Sequence, residues 1–210
     1  MAHLLILASV FAIFIPALIL PGPDFIAVVR SSMTRGTYAG LLTTLGVATG
    51  LACFATLSLL GLSAILVEYQ WLAWTVRILG GCYLAWLGIR LLTARPQAIE
   101  IDTADEDRRG NPFIFGFLVT MTNPKAIVLF ASVFATAVTE TTPLWLLTAM
   151  IGLVFVSASG WYALVSLFMS SAPVIRRLQN ARHWIERAAG VCFIGISGKI
   201  LADARNPITP

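Results

Sequence analysis

The chain has 210 residues, 58% of them hydrophobic and 11% charged, with a mean hydropathy of +0.86. Soluble domains carry about 25% charged residues, so this chain has too little polar surface to cover itself in water. Its formal net charge of +4 is therefore no argument for nucleic acid as a partner; the solvent to reckon with is a lipid bilayer.

A helix needs roughly 20 apolar residues to cross the hydrocarbon, and six segments reach that length. The expected fold is an all-α polytopic membrane protein. The first segment runs from Leu4 to about Ser31 and is interrupted by Pro21-Gly22-Pro23-Asp24. A basic leader region and a small-x-small cleavage site are both missing before the break, so the segment is read as a span. The second, Leu41 to Leu66, carries Gly46-x-x-x-Gly50, a spacing that lets helix backbones approach closely. The third, Trp71 to Leu92, holds Gly80, Gly88 and Tyr83, expected to serve helix packing or pivoting. The fourth, Phe113 to Val138, is interrupted by Asn123-Pro124-Lys125. Leu144 to Phe168 and Trp184 to Ala202 complete the set. Proline removes a backbone donor and clashes with the preceding turn, so neither interrupted segment can be one straight helix.

No joint is long enough to hold a second folded unit. The chain is read as one domain, 1–210, with a first half at 1–93, a linker at 94–112 and a second half at 113–210. Basic residues near span ends set orientation. Arg30 and Arg35 flank the first joint, Arg90, Arg95, Arg108 and Arg109 the third, and Arg176, Arg177, Arg182 and Arg187 the fifth; the second and fourth joints have none. That bias puts the odd joints in the cytoplasm and both termini outside. The acids of the third joint, Glu100, Asp102, Asp105, Glu106 and Asp107, count little under this rule.

Shifting the chain by 110 residues lays the third span on the sixth. Trp74, Arg77, Gly80, Cys82, Gly88 and Leu91 meet Trp184, Arg187, Gly190, Cys192, Gly198 and Leu201. Three spans per half make the halves enter the membrane from opposite sides. An inverted repeat with a broken helix in each half is the pattern of secondary transporters.

An interrupted helix exposes unpaired N–H groups where its second half starts and unpaired C=O groups where its first half ends. The N–H end attracts an anion and the C=O end a cation. Two such breaks facing each other suit a zwitterion. Asp24 supplies a negative charge for an ammonium, Lys125 a positive one for a carboxylate, and Asn123 both a donor and an acceptor. Gly22, between Pro21 and Pro23, lets a ligand or another helix approach the backbone; Pro124 makes the second break. An ionisable side chain at that depth is costly and usually functional or paired. Two readings stay open for Asp24 and Lys125: a pair that locks the halves and opens when substrate competes, or a structural pair only. Asp24 is also a candidate to carry a coupling proton.

Cys53, Cys82 and Cys192 are scattered through apolar stretches with no nearby histidine, so no metal site and no cofactor are expected. His3 and His183 lie outside the spans, which leaves an intramembrane serine hydrolase without a base. A small-solute channel would not need opposite charges on its two breaks. The small-residue faces leave a homodimer open.

The motifs Pro21-Gly22-Pro23-Asp24, Gly80-Gly81-Cys82-Tyr83-Leu84-Ala85-Trp86-Leu87-Gly88 and Thr122-Asn123-Pro124-Lys125-Ala126-Ile127 resemble the LysE/RhtB superfamily of bacterial amino-acid exporters. The run from Ala126 to Phe134 is most similar to the threonine and homoserine branch. The resemblance covers nearly the whole chain. It implies six spans, an inner-membrane location, and efflux of an amino acid, here a small zwitterionic one, by proton antiport. A metal-ion exporter of the same superfamily is the alternative it allows.

Overall fold

Proline and asparagine mark where the helices begin. The computed structural model describes residues 2–62, 65, 68–93, 110–131, 142–168 and 172–203. Pro23, Pro112 and Pro124 each open a helix, where the missing N–H is no loss and φ is already set. The Asn111 and Asn123 side chains accept from the backbone N–H of Phe113 and Lys125 and so cap the two helices that follow.

The helices are α1 (Ala2–Ile19), α2 (Pro23–Arg35), α3 (Thr37–Thr56), α4 (Gln70–Thr93), α5 (Pro112–Met121), α6 (Pro124–Leu129), α7 (Leu144–Phe168) and α8 (Ala172–Asp203). A π-helical turn, Leu57–Leu62, extends α3. Every element among the described residues is helical. Gly36 alone separates α2 from α3, at φ +86°, a conformation that L side chains resist.

Three helical stretches, Thr37–Gly61, Trp74–Thr93 and Leu144–Phe168, are long and apolar enough to cross a membrane. The pair α1 and α2 makes a fourth when taken as one span bent by 44° at its break. The expected second break is present too, with α5 and α6 on either side of Asn123. Residues 132–138 of that segment, the linker at 94–109 with its charges, and the side chains of Arg176, Arg177, Arg182 and His183 lie outside the described residues. The expected sixth span is part of α8, which starts twelve residues earlier, at Ala172 instead of Trp184.

Two bundles emerge from the packing. In the larger one α3 is the hub, packed against α5, α7 and α2. Glycine makes the α3–α5 approach possible. A Cβ on Gly46 would lie 2.0 Å from the Phe113 carbonyl oxygen, and one on Gly116 would lie 2.3 Å from that of Thr43. No side chain fits there unless the backbones separate. Further along, Gly50 meets Thr120 and Met121 as Gly46 meets Phe113 and Phe117, so the contacts advance together and α3 and α5 run parallel.

Buried hydroxyls add polar ties to this bundle. Thr43 Oγ1 donates to Ser31 Oγ at 2.9 Å, and Ser32 Oγ to Ser166 Oγ at 3.0 Å. Such interhelical bonds are worth about 0.6 kcal/mol each in a membrane.

The smaller bundle is α4 against α8. Gly88 and Gly190 meet backbone to backbone, and Ser197 Oγ donates to the Gly81 carbonyl at 2.8 Å. These contacts advance in opposite directions, so the pair is antiparallel. The bundles touch through α1 on α8 and α6 on α4. Trp71, Trp74, Leu79, Trp86, Ile89, Trp184 and Val191 of the smaller bundle are exposed. An exposed apolar surface of this extent suits acyl chains.

Candidate functional site

The two breaks lie against each other, and each is completed by a charge from its partner. Asp24 is the second residue of α2, a position where the helix dipole favours a negative charge. Its carboxylate points at the other break. Thr120 Oγ1 donates to Asp24 Oδ1 at 3.0 Å, and Asn123 Nδ2 donates to Asp24 Oδ2 at 3.0 Å. Asn123 thus works twice, since its Oδ1 accepts from the Lys125 backbone N–H at 3.1 Å. Lys125 reaches the opposite way. Its ammonium donates to the carbonyls of Ala17 at 2.8 Å and Leu20 at 3.5 Å, at the carbonyl end of α1, where a cation is favoured.

Gly22 makes room for this. A Cβ there would sit 3.1 Å from Lys125 Nζ, so a larger residue would crowd the ammonium. Asp24 and Lys125 stand within Coulombic reach of each other, but both take their hydrogen bonds from other groups. Asp24, Asn123 and Thr120 are buried, at 3%, 2% and 0% exposure. A buried carboxylate is tolerable when its lone pairs are met this way.

Depth follows from α3. A Cβ on Gly50 would lie 2.9 Å from the Thr120 side chain, and Gly50 is near the middle of the Thr37–Gly61 stretch. At 1.5 Å per residue it is about 20 Å from the start of that helix.

Two cavities meet this site from different directions. A cleft of about 760 Å³ is lined by Pro21, Gly22, Pro23, Asn123, Pro124 and Lys125 on one wall. Its other wall carries Tyr83, Trp86, Leu87 and Arg90 of α4 and Glu186 of α8. A second cavity, of about 10 Å³, is bounded by Asp24, Lys125, Phe14, Leu51, Leu129 and Tyr162. That is room for one water at most. Lys125 lines both cavities, and Asp24 only the small one. Beyond the small cavity Phe14, Phe54 and Phe130 pack ring to ring at 6.0 Å centroid distances.

Of the residues expected from sequence, Pro21, Gly22, Pro23, Asn123, Pro124 and Lys125 come together around the cleft, with Asp24 directly behind them. Gly46 and Gly50 serve the α3–α5 contact, and Gly88 serves α4 against α8. Gly80 is buried on α4. Tyr83, expected in packing or as a pivot, stands in the cleft wall, its ring 5.7 Å from that of Trp86. Four residues escaped the sequence reading. Thr120 had a signal: it precedes Asn123 by three positions, one helical turn, and so shares its face. Glu186 had one too, as an acid near the start of the expected sixth span, beside Arg187. Trp86 and Tyr162 carried none, because aromatic residues in a membrane helix usually anchor or fill.

Comparison with known proteins agrees with the motifs. The profile of the LysE type translocator family matches residues 15–204. The threonine efflux protein of Escherichia coli K12 is 30% identical over 199 residues, covering 91% of this chain and 95% of that protein. The threonine efflux protein of Salmonella typhi is 29% identical over 196 residues, again covering 91% and 95%. An uncharacterized membrane protein of Haemophilus influenzae is 28% identical over 199 residues, covering 91% and 93%. No solved structure matches the chain. With paired helix breaks, apolar spans and a match along nine-tenths of its length, the chain belongs to the LysE type translocator family.

Proposed function

We propose that this chain is an inner-membrane secondary transporter that moves a small zwitterionic amino acid, threonine or a close neutral relative, out of the cytoplasm in exchange for protons. The observation that carries this reading is the crossed arrangement of the breaks, in which Asp24 of one is held by Thr120 and Asn123 of the other while Lys125 reaches back to Ala17 and Leu20. The threonine efflux proteins of similar length supply the substrate class.

The reading has a definite mechanism. An ammonium group has three donors, and Lys125 uses two of them on carbonyls. Its third N–H, at the edge of the cleft, takes the substrate carboxylate. Asp24 is shielded from the cleft by Asn123 and carries the coupling proton from the other side. Binding of substrate weakens the hold of Lys125 on α1, and the breaks then rearrange.

Six spans in two inverted halves are part of the proposal. Each half contributes one broken span (α1 with α2, α5 with α6) and two continuous ones (α3 and α4, α7 and α8). The parallel course of α3 with α5 and the antiparallel course of α4 with α8 both support it. Both termini then lie outside, and the cleft, bounded by the Arg90 end of α4, faces the cytoplasm. The thin contact between the two bundles allows α4 and α8 to rock as a unit, closing the cleft and opening the aromatic side.

Cells overproducing the chain and fed a threonine-containing dipeptide test this directly. Internal threonine should fall and external threonine should rise relative to cells without it. An unchanged distribution for threonine and for every other neutral amino acid would end the exporter reading.

A further inference from the structure

A buried phenol shares the small cavity with Asp24, and the scheme above leaves it unused. Tyr162 of α7 is 1% exposed and bounds that cavity together with Asp24, Lys125 and Leu18. Its hydroxyl donates to the Leu18 carbonyl at 3.5 Å, a long contact for O–H···O, which is usually about 2.7–2.8 Å. Tyr162 also stands within Coulombic reach of Asp24. The cavity measures about 10 Å³, the room of a single water. Asp24 from α2 and Lys125 from α6 are the charged groups in its lining.

We propose that Tyr162 positions one water against Asp24 and that this water delivers the coupling proton. The assignment rests on the proton-exchange reading and extends it by naming the route. The valences allow it. Each Asp24 oxygen receives one hydrogen bond, from Thr120 or from Asn123, and a carboxylate has about four lone-pair sites. Tyr162 gives its hydrogen to Leu18, and its oxygen still accepts. A water between them donates one hydrogen to Asp24 and the other to the phenol oxygen. An arriving proton binds a lone pair of that water; the O–H bond toward Asp24 breaks, and a new O–H bond forms on the carboxylate. One proton enters and one is taken up by Asp24, while Tyr162 keeps its own throughout.

Position favours this route over the cleft. Asp24 does not line the cleft, whereas Asp24 and Tyr162 share the small cavity. Phe14 lines that cavity and packs edge-on against Phe130, which stacks on Phe54. The proton therefore reaches the water when these rings part, by a way separate from that of the substrate. Phenylalanine at 162 would fill the same place without the cost of burying a hydroxyl.

The test measures two fluxes of the purified full chain in liposomes. One is threonine accumulation driven by an acidic interior. The other is exchange of labelled for unlabelled threonine at equal pH, which moves the loaded carrier but needs no proton transfer. In Tyr162→Phe the initial rate of accumulation should fall about 10-fold, the value of one lost hydrogen bond at the transfer step, while exchange stays within about twofold of wild type. Ala126→Val keeps the phenol but fills the cavity that Ala126 also lines, and it should split the fluxes in the same way. Equal losses in both fluxes would mean that Tyr162 only holds α7 to α1, and accumulation at the wild-type rate would also overturn the assignment. Should Tyr162→Phe fail to fold, Ala126→Val decides by the same two outcomes. Wild-type coupling that persists in both variants sinks the role of Tyr162 alone. Wild-type flux that ignores the pH gradient sinks the proton-exchange reading with it.

Discussion

Asp24→Asn should abolish amino-acid export while the protein stays in the membrane at its normal level. The substitution keeps the shape and still offers an acceptor to Thr120. It turns an amide N–H₂ toward Asn123 Nδ2, however, so a donor faces a donor where the 3.0 Å bond to Oδ2 had been. It also removes the group proposed to carry the proton and the negative charge within reach of Lys125. Loss of one charge-assisted bond and of the titrating group together should slow transport by about 100-fold or more, equivalent to about 2.7 kcal/mol at the barrier. Efflux of labelled amino acid, divided by the amount of protein in the membrane, measures it. Near-normal flux would remove Asp24 from the mechanism.

Lys125→Met should cause the second large loss. Methionine fills similar volume, but the Ala17 and Leu20 carbonyls lose their donor and Asp24 keeps a buried charge without its counterpart. Breaking a buried charged arrangement from one side costs about 3–5 kcal/mol when nothing replaces the partner. Transport and thermal stability should therefore both fall. The double variant, Asp24→Asn with Lys125→Met, separates the causes. If the charges support one another, the double variant should be better folded than Lys125→Met alone, with a coupling of about 0.5–3 kcal/mol. A double variant no more stable than either single would show that the two residues act independently.

The breaks were legible in the sequence because proline and asparagine act locally. Pro23 and Pro124 suit the first turn of a new helix, and Asn123 caps the helix it precedes. Apolar length gave four of the expected spans, the bent pair of α1 and α2 included, by the same local logic. What escaped was relational. Nothing in the sequence says that Thr120 meets Asp24 and not solvent, since that depends on the glycine-to-backbone approach of α3 and α5. Tyr83 falls between Gly80 and Gly88, a spacing that reads as packing; only the separation of α4 from the breaks leaves a cleft for it to face. Asp24 and Lys125 were readable as opposite charges at equivalent places. That each is held by the other's break instead of by direct pairing required the fold.

The proposed division of work between Lys125 and Asp24 is consistent with the different sizes of the two cavities. The large one has room for the proposed substrate against Lys125, while the small one, bounded by Phe14, Leu51 and Leu129, leaves Asp24 room for one water at most. A site that binds cargo on one face and a proton on the other can exchange them without letting both pass at once.

Proton coupling is best measured on the purified chain in liposomes made acidic inside, with labelled threonine outside. Threonine should accumulate above its external concentration, and a protonophore should release it; the Asp24→Asn chain should show no such accumulation. Threonine flux through the wild-type chain that is indifferent to the pH gradient would contradict exchange for protons at the two breaks.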